Sequence, residues 1–170
     1  MRIGVLADTH DRVPAVAEFL AEFARRDVTL VVHAGDFCAP FSLLPFREAG
    51  LPLLGVFGRN DGDHDGLVAA ATVLPAGGEI FKGPHSVEIE GTSLLIVHDP
   101  ADTTTRSLDA HAIVVYGFTH KPEMTERAGS LLLNPGEACG WLTGTPAAAV
   151  LDLAARRVEF LTLTDERWRA

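Results

Sequence analysis

The sequence predicts an α/β fold, a two-sheet β-sandwich of mixed strands flanked by helices. Three observations carry that prediction. Apolar runs at residues 2–7, 29–34, 53–57, 92–97 and 112–116 have the length and composition of buried strands, and charged or ligand-capable residues follow each of them. Segments of helical character separate the first three runs, which is the βαβ pattern. From residue 79 onward, short strands joined by turn signals replace that pattern.

Residues 2–7 are the first strand. Residues 13–26 read as a helix, with Val13, Val16, Ala17, Leu20, Phe23 and Ala24 on one face. Pro14 suits its first turn, where the missing N–H costs nothing. After the second strand at 29–34, Pro40 to Ala49 reads as a short helix closed by Gly50. The third strand at 53–57 precedes a helix at 65–73, which Pro75 to Gly78 break. Residues 79–82, 86–89 and 92–97 are strands, with Glu90-Gly91 as a hairpin turn, and this half reads as largely antiparallel. A short helix is expected at 103–110 and a buried strand at 112–116. Residues 124–127 and 130–133 make a hairpin around Ala128-Gly129, Asn134-Pro135-Gly136 is a turn, and 147–153 with 157–163 make a last hairpin. Neither an internal repeat nor a linker suggests a second domain, so residues 1–170 read as a single domain.

The chain has 170 residues, 47% of them hydrophobic, which is enough for a substantial core. Its net charge of −9 makes it a poor binder of nucleic-acid backbones or anionic membranes. Nucleic acid therefore enters only as a substrate. A small phosphorylated substrate stays open, because a bound divalent ion reverses the local sign. Cys38 and Cys139 have no metal-type spacing and read as free thiols in a reducing compartment. No apolar stretch approaches the roughly 18 residues of a membrane span. The first strand meets Asp8 at once, which does not read as a signal peptide, so a cytoplasmic location is the expectation. The oligomeric state is left open, a homo-oligomer included.

Asp8, His10, Asp36, His98 and His120 are the candidate metal ligands. A carboxylate can be shared by two cations, and imidazole nitrogens complete the shells. Two ions about 3.5–4 Å apart clamp a phosphate and acidify a bridging water. Asp and His without Cys suit Mn, Fe, Zn or Ni better than Ca or Mg, with Mn the first choice. Each residue also has an ordinary reading. Asp8 alone would be a helix cap, Asp36 a turn residue, and His98 or His120 a loop histidine. Their shared position at strand ends outweighs coincidence. His33 lies inside a strand run, while His85 and His111 read as surface loop residues. His64 falls in the acidic stretch Asp61-Gly62-Asp63-His64-Asp65, read as a solvated loop near the site.

Asp8-Thr9-His10, Gly35-Asp36, Val56 to Gly62, His98 and Gly117-Phe118-Thr119-His120 resemble, in order, the signature of the calcineurin-like metallophosphoesterases. The small single-domain phosphodiesterase branch often labelled YfcE is the nearest match, and Asn134-Pro135-Gly136 is similar to its turn. The resemblance covers nearly the whole chain. It implies a sandwich with the site at the strand ends and hydrolysis of phosphomonoesters or phosphodiesters with two divalent cations. Under it, Asp8, His10, Asp36 and His120 form a complete first metal site, and Asp36 bridges to a second.

The second site departs from the family pattern. Gly58-Arg59-Asn60-Asp61 stands for Gly-Asn-X-Asp, so Arg59 occupies the place of an Asn ligand. Gly117-Phe118-Thr119-His120 stands for Gly-His-Thr-His, so Phe118 occupies the place of a His ligand. Only Asp36 and His98 remain of that site. Arg59 cannot ligate, but its fixed charge and planar fork suit phosphate. It is expected to balance Asp36, partly replacing the second cation, and to hold a phosphate oxygen, with Asn60 beside it in substrate binding. A register slip would instead make Asn60 the ligand, and an ordinary salt bridge to Asp61, Asp63 or Asp99 is the plain alternative for Arg59.

The function expected is a metal-dependent phosphoesterase, acting on a phosphodiester or phosphomonoester by in-line attack of a metal-bound hydroxide. Arg59 and His98 are its candidate catalytic side chains, His98 as a general acid if no metal holds it. The alternative is a weakened or inactive member that serves as a binding scaffold, as one retromer subunit of this fold does. A nucleotide-binding module has no support, since neither a Gly-x-Gly-x-x-Gly turn nor a Lys-bearing phosphate loop follows the first strand.

Overall fold

The computed structural model of the chain describes residues 1–164 and Trp168. The first half supplies β1 (Arg2–Leu6), α1 (Val13–Ala24), β2 (Leu30–His33), α2 (Leu44–Ala49), β3 (Leu53–Val56), α3 (His64–Thr72) and β4 (Gly78–Phe81). The second half supplies β5 (His85–Ile89), β6 (Thr92–Ile96), α4 (Thr105–Asp109), β7 (Ile113–Val115), β8 (Pro122–Arg127), β9 (Ser130–Pro135), β10 (Ala147–Asp152) and β11 (Arg157–Thr162). Short 3-10 turns at Pro40–Leu43 and Pro100–Asp102 precede α2 and α4.

Two sheets result. A six-stranded sheet runs β11-β10-β1-β2-β3-β4, and a five-stranded sheet runs β5-β6-β7-β9-β8. Strands β1 to β4 are mutually parallel, with β10 antiparallel to β1. In the second sheet β6, β7 and β9 are parallel, and only the outer pairs β5–β6 and β8–β9 are antiparallel. The antiparallel reading of the second half therefore holds for its hairpins and for β10 beside β1, but not for β6, β7 and β9. β4 crosses over α3 to pair beside β3, a long-range choice that turn signals do not encode.

The strands alternate between two dry faces. Ile3 and Val5 of β1 point between the sheets, with Val32, Leu54, Leu94, Ile96, Ile113, Val115, Leu131 and Leu133. Leu6 and Val31 point the other way, onto Phe19, Leu20 and Phe23 of α1. A 12-residue helix is marginal alone, so this packing holds it, at about 1.5–3 kcal/mol for each large buried side chain. Gly4 makes the approach possible: a Cβ there would lie 2.5 Å from the Phe23 ring. On the outer face of the second sheet, Leu108 of α4 covers Leu95, Val97, Val114 and Tyr116.

Local details differ from the sequence expectation at four points. The side chain of Asp8 does not cap α1, whose N-cap residue is Arg12 with no side-chain cap. His64 opens α3 after the Asp63 cap and stacks on Phe57 at 3.9 Å, so that acidic stretch is a capped helix start. His85 opens β5 and stacks on Phe81. Asn134 and Pro135 finish β9, and the chain turns at Gly136, whose N–H donates to Asn134 Oδ1. Among the described residues, no helix is long and apolar enough to cross a membrane.

Candidate metal centre

The loops that follow β1, β2, β3, β6 and β7 meet at one edge of the sandwich. Asp8 and His10 come from the first, Asp36 from the second, Asn60 from the third, His98 from the fourth and His120 from the fifth. Backbone hydrogen bonds join the first two loops: Asp8 N–H donates to Gly35, His10 N–H to Asp36 and Asp11 N–H to Phe37. The chain turns hard at four of the five candidate ligands and at Phe118. Asp8, His10, Asp36, Phe118 and His120 all have left-handed backbone, with φ of 53°, 39°, 62°, 67° and 61°. Asp and His tolerate that region better than most residues, but Phe does not, and each such residue is held there by its surroundings.

Asp8 Oδ1 lies 3.6 Å from His120 Nε2 and 4.0 Å from His10 Nε2. Asp36 Oδ2 lies 3.6 Å from His10 Nε2 and 3.5 Å from His98 Nε2. These gaps are long for hydrogen bonds. They suit two atoms that share an ion, since ligands about 2.0–2.2 Å from a metal stand roughly 3–3.5 Å apart. Two overlapping groups have ligand atoms within 4.8 Å of one another: Asp8, His10 and His120, and Asp8, Asp36 and His98. Both carboxylate oxygens of Asp8, which is 0% exposed, and Nε2 of His98 are buried without a hydrogen-bond partner. Orphaned acceptors of this kind are costly, and a divalent cation satisfies them all.

The imidazoles are oriented for that task. Nδ1 of His98 lies 2.8 Å from Ala34 O, a carbonyl that can only accept, so Nδ1 carries the hydrogen and Nε2 faces Asp36. Nδ1 of His120 donates to Glu137 at 2.8 Å, which turns its Nε2 toward Asp8. Nδ1 of His10 lies 3.4 Å from Cys38 Sγ. Burial, then the neighbouring carboxylates, push the Cys38 thiol up to about 12, so it stays protonated. Burial also pushes Asp8 up to about 6, against the opposing pull of His120 and His98. His10 is lowered by burial, and His33, fully buried, lies well below the ordinary imidazole value. His33 serves structure: Gly35 N–H donates to its Nδ1, and its Nε2 meets Thr9 Oγ1.

All five candidate ligands named from the sequence come together. Arg59 does not balance Asp36. Its guanidinium donates to Asp99 at 2.6 Å and Asp102 at 3.3 Å, and lies 4.8 Å over the Phe118 ring. Those two carboxylates engage its charge, and the side chain is half exposed at the rim. Asn60 turns inward instead. Its backbone N–H donates to Asp36 Oδ1 at 2.8 Å and its side-chain amide to Oδ2 at 2.7 Å. A 180° turn of that amide presents its oxygen to the same place. Gly58 permits the approach, because a Cβ there would lie 2.2 Å from Asp36 Oδ1. Phe118 meets His98 edge-on at 5.8 Å.

Two residues were missed. Asp61 accepts from the backbone N–H groups of Asp36, Cys38 and Gly58, and so shapes the loop that carries Asp36. Glu137 is fully buried. One oxygen accepts from His120, and the other from Leu142 N–H, Thr143 N–H and Thr143 Oγ1. Burial pushes its carboxyl up, but the bonds from Thr143, His120 and Cys139 outweigh this and hold it below the ordinary glutamate value. An acid inside the apolar stretch after Asn134-Pro135-Gly136 was the available signal.

Residues 1–156 match the model of the calcineurin-like phosphoesterase superfamily domain. The chain is 30% identical over 166 residues to Phosphodiesterase MJ0936 of Methanocaldococcus jannaschii, covering 96% of this chain and 99% of that one. The solved structure of an archaeal phosphodiesterase superposes with a TM-score of 0.89 at 30% identity, over 96% of this chain and 100% of that one. The phosphoesterase YfcE of E. coli shares the fold, with a TM-score of 0.68 at 19% identity over 96% of this chain and 98% of its own. With orphaned carboxylate oxygens and imidazoles converging at the same strand ends, the chain belongs to the calcineurin-like phosphoesterase superfamily and is a phosphoester hydrolase built around divalent metal.

Proposed function

We propose that the chain hydrolyses phosphodiesters with Mn²⁺ as the working ion, and with Ni²⁺, Fe²⁺ or Zn²⁺ as substitutes. The phosphodiester preference is supported by the relatives named above. The observation that carries the metal dependence is Asp8, whose two buried oxygens have no hydrogen-bond partner and whose Oδ1 has the Nε2 atoms of His120 and His10 as neighbours. Asp8, His10 and His120 would hold one ion, and Asp36, His98 and Asn60 a second. Asp36 is the carboxylate to be shared, since its Oδ2 is about equally far from His10 and His98. When bound, the ions supply Lewis acidity, which neutralises phosphoryl charge and acidifies water.

The chain's own groups do the rest. Glu137 and Ala34 fix His120 and His98 so that both rings turn Nε2 inward. With its Nδ1 hydrogen given to Ala34, His98 turns Nε2 inward, where it would hold an ion or, with no metal on it, carry the proton of a general acid. Arg59, steadied by Asp99 and Phe118 at the rim, receives a non-bridging phosphate oxygen. The free thiols Cys38 and Cys139 support a cytoplasmic setting.

The test is hydrolysis of bis(p-nitrophenyl) phosphate with Mn²⁺, with EDTA and Asp8→Asn as controls. Turnover that both controls abolish is expected. No turnover with Mn²⁺, Ni²⁺, Zn²⁺ or Mg²⁺ overturns the proposal and leaves the scaffold reading.

A further inference from the structure

The turn after Glu137 exposes apolar side chains that the fold does not require. Trp141 is 60% exposed and Leu142 77% exposed. Two large apolar side chains thus stand out side by side on one short turn. The turn is also held firmly. Gly144 N–H donates to Gly140, Thr143 Oγ1 donates to Thr145, and Glu137 takes both the Leu142 and Thr143 amides. The Arg12 guanidinium lies 3.9 Å over the Trp141 ring and 5.0 Å from that of Trp168. Arg12 covers one face of Trp141, and its exposure leaves ring surface for a second planar group.

Both supports of this ring adjoin the metal centre. Arg12 follows His10 by two residues, and its N–H donates to Thr9. The carboxylate that pins Leu142 and Thr143 is the one that orients His120. The turn that carries Trp141 is thus tied, through Arg12 and Glu137, to the loops that carry His10 and His120.

We infer that Trp141, backed by Arg12, is a stacking platform for a planar substituent of the diester, a nucleobase being the fitting class. The inference rests on the phosphodiesterase reading for its substrate and on Trp141 for its binding surface. The charge of Arg12 complements a nucleotide, while the ring makes no demand on base identity.

The experiment has two arms. In the first, kcat/KM is measured for the p-nitrophenyl ester of thymidine 5′-monophosphate and for methyl p-nitrophenyl phosphate. The ratio of the two falls about tenfold in Trp141→Ala, as expected for the loss of one base stack, and returns in Trp141→Phe. An unchanged ratio overturns the platform. In the second, adenosine 5′-monophosphate quenches the tryptophan fluorescence of the wild-type chain with saturation, and the quench is absent in Trp141→Phe. Lack of saturable quenching overturns the platform even where diesters turn over. Quenching without any hydrolysis upholds the platform while the phosphodiesterase reading fails. Unchanged thermal unfolding of Trp141→Ala separates the effect from misfolding.

Discussion

Glu137 takes the Nδ1 hydrogen of His120 at 2.8 Å from a position wholly shielded from solvent. A buried carboxylate behind a ligating imidazole fixes its ring and raises its basicity. Glu137→Gln keeps the shape but removes the charge. Mn²⁺ affinity, measured by calorimetric titration, is expected to fall roughly 10–100-fold. Glu137→Ala additionally removes the acceptor of the Leu142 and Thr143 amides, and denaturant titration should show a loss of about 1 kcal/mol for each hydrogen bond removed.

Asp8 sets a pH dependence. Its carboxyl rises from 3.8 in the unfolded reference to about 6 in the metal-free fold, through burial. Between those values the folded chain binds more protons than the unfolded one, so Asp8 erodes stability as pH rises from about 4 to about 6. Above that window the penalty is constant. Asp8→Asn escapes it. In EDTA the Tm advantage of Asp8→Asn over wild type should be near zero at pH 4 and on the order of 5 °C above pH 6.5. Mn²⁺ should reverse the order by raising the wild-type Tm alone. Equal melting curves at both pH values contradict this account.

Arg59 and Phe118 form one unit at the rim. Arg59→Ala should lower kcat/KM for bis(p-nitrophenyl) phosphate about tenfold, the scale of one charge-assisted bond to an anion. Phe118→His introduces an imidazole beside His98, whose ring Phe118 meets edge-on. The Mn²⁺ concentration for half-maximal rate should fall, and kcat should rise.

Gly4→Ala drives a methyl group into the Phe23 ring. Overpacking of this kind costs about 1–3 kcal/mol, read from urea unfolding. Phe23→Leu in the same chain should recover part of the loss, whereas each change alone destabilises.

Much of this was legible from local pattern. Asp8 and His10 directly follow an apolar run, and a strand end is a position that alternation and composition reveal. Asn60 was harder. Whether it or Arg59 faces Asp36 depends on a single residue of register, set by Asp61 as it gathers the amides of Asp36, Cys38 and Gly58. Glu137 lies 17 residues from His120, and no short-range spacing joins them. The parallel pairing of β4 with β3 has the same origin: it depends on where α3 returns the chain. His64 was hidden by the acids around it, one of which is the cap that starts its helix.

The left-handed turns at Asp8, His10 and Asp36 are closed by amide-to-carbonyl bonds between loops, in which no ion takes part. Those bonds set the course of the backbone without calling on the ligating side chains, so a substitution at one ligand is expected to leave the other carboxylates and imidazoles standing where they are.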